Sequence, residues 1–187
     1  TDALDSARFA EIGSSAKVVT VAAGATEGSR AYIFQSMMTE YTPRGTVGEL
    51  FGYNVNGGAN SGEGLARGYV LWTSTDVSSG SSAGTGQDLS AAASSSLYAY
   101  GALHVLTAAT SGATAITVRV ESDNSSTFPS AATVFTFTAT TAKGAGAAEW
   151  KSALLGSTDR WFRGVTTTAS SASHYSVHLA LGFSSAA

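Results

Sequence analysis

The three histidines of the chain are the residues best suited to bind a metal ion or to transfer a proton near neutral pH. His174 and His178 are four residues apart in a segment whose apolar residues recur at every second position, as they do along a strand. On a strand the two side chains would be roughly 13 Å apart, which is too far for one ion to bind both. His104 stands alone in an apolar run and is expected to be an ordinary sheet residue. We therefore predict no metal site and no cofactor.

Nucleophilic catalysis has no distinctive motif in this sequence. The chain has no cysteine, and its Gly-x-Ser-x-Gly match at residues 80–84 lies in a Ser/Gly-rich segment, not between a predicted strand and a predicted helix as a nucleophile elbow requires. No glycine-rich phosphate loop or dinucleotide-binding fingerprint follows a predicted strand. We therefore expect a protein that is not an enzyme.

An acidic turn at Glu121, Asp123 and Asn124 offers oxygen ligands of the type that calcium prefers. The spacing differs from that of an EF-hand loop. A solvated hairpin turn is therefore the favoured interpretation, with calcium binding as the alternative.

Composition excludes several classes of protein. Charged residues make up 12% of the chain and the formal net charge is −3, whereas an ordinary globular domain has about 25% charged residues. A nucleic-acid binder that relies on a basic patch is excluded, because there is no surplus of Lys and Arg to neutralise phosphates. Ala, Gly, Ser and Thr make up more than half of the residues, which argues against a long-helix bundle. The 43% of hydrophobic residues is enough to build a core.

Alternation of apolar and polar residues predicts an all-β fold. Short strands separated by Gly, Ser and Asn turns are typical of an antiparallel β-sandwich or barrel, here with about nine or ten strands. The strands are predicted near residues 17–21, 31–41, 47–55, 64–73, 97–107, 115–121, 133–138, 160–167 and 174–183. One short N-terminal helix is predicted at residues 2–12, where apolar residues form a loose amphipathic stripe.

A Ser/Gly/Ala-rich segment at residues 78–95 has the composition of a loop or linker. It divides the chain into an N-terminal β module with the short helix, residues 1–77, and a C-terminal β-sandwich module, residues 96–187. The two modules are also compatible with packing as one domain.

The densest cluster of charged and aromatic residues lies at residues 159–163. Trp and Arg are common anchors of protein interfaces. On an exposed edge strand, Arg160, Trp161 and Arg163 would form such an interface. In the alternative interpretation this is an ordinary strand, with Trp161 and Arg163 on one face and Phe162 in the core.

Several motifs occur in a familiar order along the chain. EYTPRGTVGEL at residues 40–50 begins with a predicted turn that leads into a strand. It is followed by LARG at 65–68, by the strands near 96–105 and 118–124, by WFR at 161–163 and by LALGF at 179–183. The first motif is similar to the E-Y-x-P-x-G-x-x-G-E pattern of the major tail proteins, or tail tube proteins, of long-tailed bacteriophages. The chain resembles this family over most of residues 30–183, through the order of the motifs together.

The resemblance implies a virion structural protein, assembled in the host cytoplasm, whose copies form stacked rings, typically hexameric, around a channel. Its partners would be other copies of itself and other virion proteins, with double-stranded DNA only as non-specific passing cargo and no membrane. The candidate assembly interface comprises Tyr41, Pro43, Arg44, Gly45, Glu49, Arg160, Trp161 and Arg163.

Two other functions remain open at this point. Family members usually carry more sequence before the N-terminal helix, so a capsid or tail decoration protein is one alternative. A carbohydrate-binding β-sandwich, such as a receptor-binding module, is the other, with Trp72, Trp150 or Trp161 as a stacking platform.

Overall fold

The computed structural model describes residues 17–44, 52–59, 64–77, 80–89, 93–107, 115–140, 147–168 and 175–185. In these residues the chain is all-β and contains no helix. The strands, in chain order, are β1 (Lys17–Ala22), β2 (Arg30–Arg44), β3 (Gly52–Ala59), β4 (Ala66–Val77), β5 (Gly80–Ala83), β6 (Gln87–Asp88), β7 (Tyr98–Thr107), β8 (Ile116–Asp123), β9 (Ala132–Thr136), β10 (Ala147–Leu154), β11 (Trp161–Thr168) and β12 (Tyr175–Ser184).

The strands form two antiparallel sheets. The larger sheet has the order β1-β2-β4-β12-β7-β10, and β3 pairs with the far part of β2. The smaller sheet has the order β5-β11-β8-β9, and β6 pairs with β11 beside β5. β12 therefore lies in the middle of the larger sheet although it comes last in the chain.

The main hydrophobic core lies between the two sheets. Side chains from β4, β7 and β12 of the larger sheet meet side chains from β8, β9 and β11 of the smaller one, among them Leu103, Leu179, Val120, Phe135 and Phe162. The approach is close at Gly164 of β11, where an added Cβ would lie 2.8 Å from Cδ2 of Leu179 and 2.9 Å from Cβ of Trp72. The two sheets therefore pack as a sandwich at this point.

A β-bulge in β4 directs two consecutive side chains into this core. Trp72 is opposite Leu179 and Val70 is opposite Ala180, so Leu71 is the extra residue in the ladder. Leu71 and Trp72 are both buried against the smaller sheet. In a regular strand, two consecutive residues lie on opposite faces.

The larger sheet also curls on itself, so that its other face is buried too. We call this buried face, with Ile33, Val70, Tyr100, Ala102 and Ala180, the inner face. Val18 and Ala22 of β1 pack against the same cluster as Trp150 of β10. β1 and β10 are the two ends of the strand order, so their approach requires the sheet to curl into a half-barrel.

The predicted antiparallel all-β fold is confirmed, but the strand count of nine or ten is too low. The described residues hold twelve strands, because β5, β6 and β10 come from segments without clear alternation. β3 ends at Ala59, whereas the strand predicted at residues 47–55 ends four residues earlier. The predicted N-terminal helix at residues 2–12 lies outside the described residues.

The segment at residues 78–95, predicted as a loop or linker, contains β5 and β6, which pair with β11. Strands from before and after it share the larger sheet, since β4 lies between β2 and β12. The proposed division of the chain into two modules stays a prediction.

Truncation of a core leucine tests the sandwich. We expect Leu179→Ala to lower the free energy of unfolding by about 2–5 kcal/mol, because it leaves a cavity between the sheets. Leu154→Ala, also on a strand of the larger sheet but 54% exposed, is the matched control and should cost far less. Urea denaturation of both variants gives the comparison, and equal losses would contradict the packing described here.

Candidate functional site

The β2–β3 hairpin extends beyond the rest of the larger sheet. β2 pairs with β4 over Arg30–Ile33 and with β1 over Ala31–Ser36. From Met37 to Arg44, its ladder partner among the described residues is β3 alone. This outer part is therefore a two-stranded arm, which we call the projecting hairpin (Met37–Arg44 and Gly52–Gly58).

Three of the predicted interface residues lie on the projecting hairpin. Tyr41 is directly opposite Val55, and Pro43 is directly opposite Tyr53. The turn predicted at the start of the 40–50 motif is wrong for the residues up to Arg44, which belong to β2 and are not a turn. A strand with a ladder partner on one side tolerates proline, since the missing N–H can face outward. Gly45 and Glu49 lie outside the described residues.

The other three predicted interface residues lie at the start of β11, which is not an edge strand. β11 lies between β8 and the pair β5 and β6. Phe162 is fully buried in the core, whereas Trp161 and Arg163 are partly exposed. Arg160 precedes the strand and binds the carboxylate of Asp88 on β6 through two hydrogen bonds. A role of these residues in assembly stays a prediction.

Arg163 of β11 belongs to a cluster of three charged side chains with Arg119 and Glu121 of β8, which we call the Glu121 ladder. Its guanidinium donates two hydrogen bonds to Glu121, at 2.8 and 2.9 Å, and Arg119 donates another at 2.7 Å. Burial raises the pKa of Glu121, but the hydrogen bonds and charges of the two arginines outweigh it and hold the pKa below its usual value. Arg163 also lies over the ring of Phe128, 4.3 Å from its centroid. The buried carboxylate is thus fully paired.

The acidic turn uses its carboxylates to fix the backbone. Asp123 accepts hydrogen bonds from the backbone N–H of Ser125 at 2.9 Å and of Ser130 at 2.7 Å. Glu121 is occupied by the two arginines. The predicted solvated turn is wrong for Glu121 and Asp123, because both belong to β8 and are buried. The oxygens that calcium would need already accept hydrogen bonds within the chain.

His104 and His178, which are distant in the sequence, lie side by side on the inner face. His104 of β7 and His178 of β12 are directly opposite each other in the ladder, and their ring centroids are 6.3 Å apart. Nε2 of His104 lies 2.9 Å from the hydroxyl of Thr20 on β1. A cavity of about 280 Å³ opens beside them, lined by Thr20, Ala22, His104, Leu106 and His178.

The sequence does not reveal this pair, because His104 and His178 belong to different strands. The alternation of residues predicts both strands, but it does not show which strands are neighbours. The signal that could have found them is that each of the two histidines stands within an apolar run, LYAYGALHVL and HYSVHLALGF. That signal becomes useful only once β7 and β12 are known to pair.

The three tryptophans do not form the row that a carbohydrate platform needs. Trp72 is buried between the sheets. Trp150 packs against Tyr100 of the inner face, with ring centroids 5.6 Å apart. Trp161 lies on the smaller sheet. A sugar ring stacks on an exposed aromatic face, and Trp72 does not offer one.

No protein-family model matches the chain, and no curated protein matches it. Within the described residues, no group of three or more His, Asp or Glu side chains is placed to hold a metal ion. The same residues include no helix that is long and apolar enough to cross a membrane.

Protonation of the histidine pair should make stability depend on pH. Burial lowers the pKa of His178, and burial together with the nearby His178 lowers the pKa of His104. The unfolded chain, in which histidine titrates near 6.5, then binds more protons than the folded chain in the window below about 6.5. We expect the urea concentration at the unfolding midpoint, measured with EDTA present, to be highest above about pH 6.5. It should fall as the pH drops below that value.

The matched variant is the double substitution His104→Gln and His178→Gln, which should flatten this dependence. A urea midpoint that stays constant or rises between pH 7 and 5.5 in the unsubstituted chain would contradict the prediction.

The Glu121 ladder gives a second test. Arg163→Met removes two hydrogen bonds from a buried carboxylate, and we expect a loss of about 1–3 kcal/mol in the free energy of unfolding. Arg160→Met breaks the exposed pair with Asp88, and it should change stability much less. Thermal denaturation at neutral pH compares the two, and a larger effect of Arg160→Met would be inconsistent with the ladder.

Proposed function

We propose that the chain is a virion structural protein that assembles with copies of itself, and more specifically a tail tube subunit of a long-tailed bacteriophage. The observation that carries this proposal is the projecting hairpin. The resemblance of the ordered motifs to tail tube proteins supplies the family, and one of those motifs begins on this hairpin.

An isolated two-stranded hairpin is at best marginally stable in water. In the projecting hairpin, seven residues of β2 (Met37, Met38 and Glu40–Arg44) have their ladder partners on β3, and β3 has no other ladder partner among the described residues. No other described strand pairs with the outer edges of this arm, and an open strand edge is a template for pairing with another chain. A neighbouring copy that pairs with this arm would supply a further ladder partner.

The rest of the molecule offers edges that could receive such an arm. β9 is an edge of the smaller sheet, and most of its residues are exposed. Strand addition at such an edge gives affinity through main-chain hydrogen bonds. In a closed ring, the projecting hairpin of each copy would pair with the sheet edge of the next copy in the same way. Ring closure therefore removes the aggregation hazard of open edges.

The distribution of charge suits a channel through which DNA passes. Arg119 and Arg163 are paired with Glu121, Arg160 with Asp88, and Lys151 with Glu149. Paired cations attract phosphates less than free ones do, and the net charge is −3. DNA would therefore slide past without tight binding.

Replacement of the projecting hairpin tests the proposal. Ser36 and Ala59 are directly opposite each other, so residues 37–58 can be replaced by Asn-Gly, which favours a two-residue hairpin turn. We expect the unmodified chain to form rings or tubes in electron micrographs. The shortened variant should keep the β-sheet circular dichroism signal but remain monomeric in size-exclusion chromatography with light scattering.

Leu154→Ala, which removes an exposed apolar side chain far from the hairpin in the strand order, is the control and should assemble normally. Unmodified chains that stay monomeric at every concentration would overturn the proposal, as would a shortened variant that still forms rings. Binding to preformed capsids without rings would favour the decoration alternative.

A further inference from the structure

The histidine pair on the inner face has the geometry of a two-nitrogen binding site, and it is independent of the proposed assembly. β7 and β12 are adjacent strands, so His104 and His178 lie side by side on the same face. Their rings are edge to face, with an interplanar angle of 60° and centroids 6.3 Å apart. Both side chains are partly buried.

The separation is close to what one bound ion requires. Imidazole nitrogens bind Zn²⁺ at about 2.0–2.1 Å. With tetrahedral angles at the ion, the two ring centroids would be about 5 Å apart. The observed distance exceeds this by roughly 1 Å, which small side-chain rotations on the two strands can supply.

Thr20 provides a contact that would orient one ligand. Its hydroxyl lies 2.9 Å from Nε2 of His104. When Nε2–H donates to this hydroxyl, the lone pair of the ring is on Nδ1. A histidine that binds a metal commonly donates its other ring N–H to an oxygen in this way.

The surroundings favour a metal ion over an anion. The residues directly opposite the pair on the outer neighbouring strands are Thr73 on β4 and Ala148 on β10, and neither carries a charge. An anion would need positive charge beside it, and these two neighbours supply none. Neutral imidazoles offer lone pairs, the ligand type that zinc, copper and nickel accept. The cavity of about 280 Å³ beside the rings has room for an ion and its waters, since a water takes about 30 Å³.

We propose that His104 and His178 bind one late first-row divalent metal ion, of the Ni²⁺, Cu²⁺ and Zn²⁺ class, at the open end of the inner face. Thr20 is a positioning residue that acts through His104, and water completes the coordination. The ion would join β7 and β12 through the two histidines. The hydrogen bond between Thr20 and His104 would connect β1, at the end of the larger sheet, to the same site.

Titration of the full chain with Cu²⁺ and Zn²⁺ tests this site, after the protein has been stripped with EDTA. Isothermal titration calorimetry at pH 7.5 should give one ion per chain. Electron paramagnetic resonance of the Cu²⁺ form should show two equivalent nitrogen ligands. Thr20→Val should weaken binding about tenfold or more while leaving the stoichiometry unchanged.

Substitutions of the three histidines locate the ion. The double variant with His104→Gln and His178→Gln should lose the bound ion, whereas His174→Gln should retain it. Binding that survives the double variant, or that disappears in His174→Gln, would overturn the proposal. If the double variant fails to fold, the nitrogen count from the Cu²⁺ spectrum of the unsubstituted chain decides, and one nitrogen or none would also overturn it.

Discussion

Burial of both faces of the central strands is the constraint on which the rest of the structure depends. β4, β12 and β7 face the smaller sheet on one side and the inner face of the curl on the other. Along β12, Leu179 and Leu181 fill the wider space between the sheets, while Ala180 lies on the inner face. Gly182 of the same strand has no room for a side chain, because Ala66 and Ile33 lie close to it. An added Cβ at Gly182 would lie 2.9 Å from Cβ of Ala66.

This double burial also determines where polar chemistry can occur. Along the inner face of β7, Tyr100 and Ala102 are fully buried, His104 is partly buried and Leu106 is 55% exposed. Polar side chains therefore enter the inner face where it opens to solvent, and the two histidines lie at that boundary. Deeper in the curl an imidazole would lose its bound water without gaining a hydrogen-bond partner. Burial of a polar group in this way costs free energy.

The sequence was sufficient for the strands but not for their pairing. Alternation and short apolar runs located most of β1, β2, β4, β7, β8, β11 and β12. It failed at Leu71 and Trp72, where a bulge depends on the partner strand, and at β5, whose exposed Gly and Ser residues carry no apolar pattern. The charged cluster near Arg163 was recognised, but its partner Glu121 is 42 residues away in the chain. His104 and His178 are 74 residues apart, and only the register of β7 against β12 makes them neighbours. Contacts of this kind follow from long-range topology, which a single sequence does not specify.

The ion pairs within the chain affect how copies of this chain would associate. Exposed ion pairs contribute little to stability, and interfaces built on them weaken with salt. Here four cationic side chains are already engaged with carboxylates within the chain. Association would then depend on backbone hydrogen bonds at strand edges and on apolar contact, both of which resist salt. The projecting hairpin concentrates such backbone groups in one arm, whereas the curled body has both faces of its central strands covered. In the proposed assembly, recognition between copies would therefore be carried by the arm.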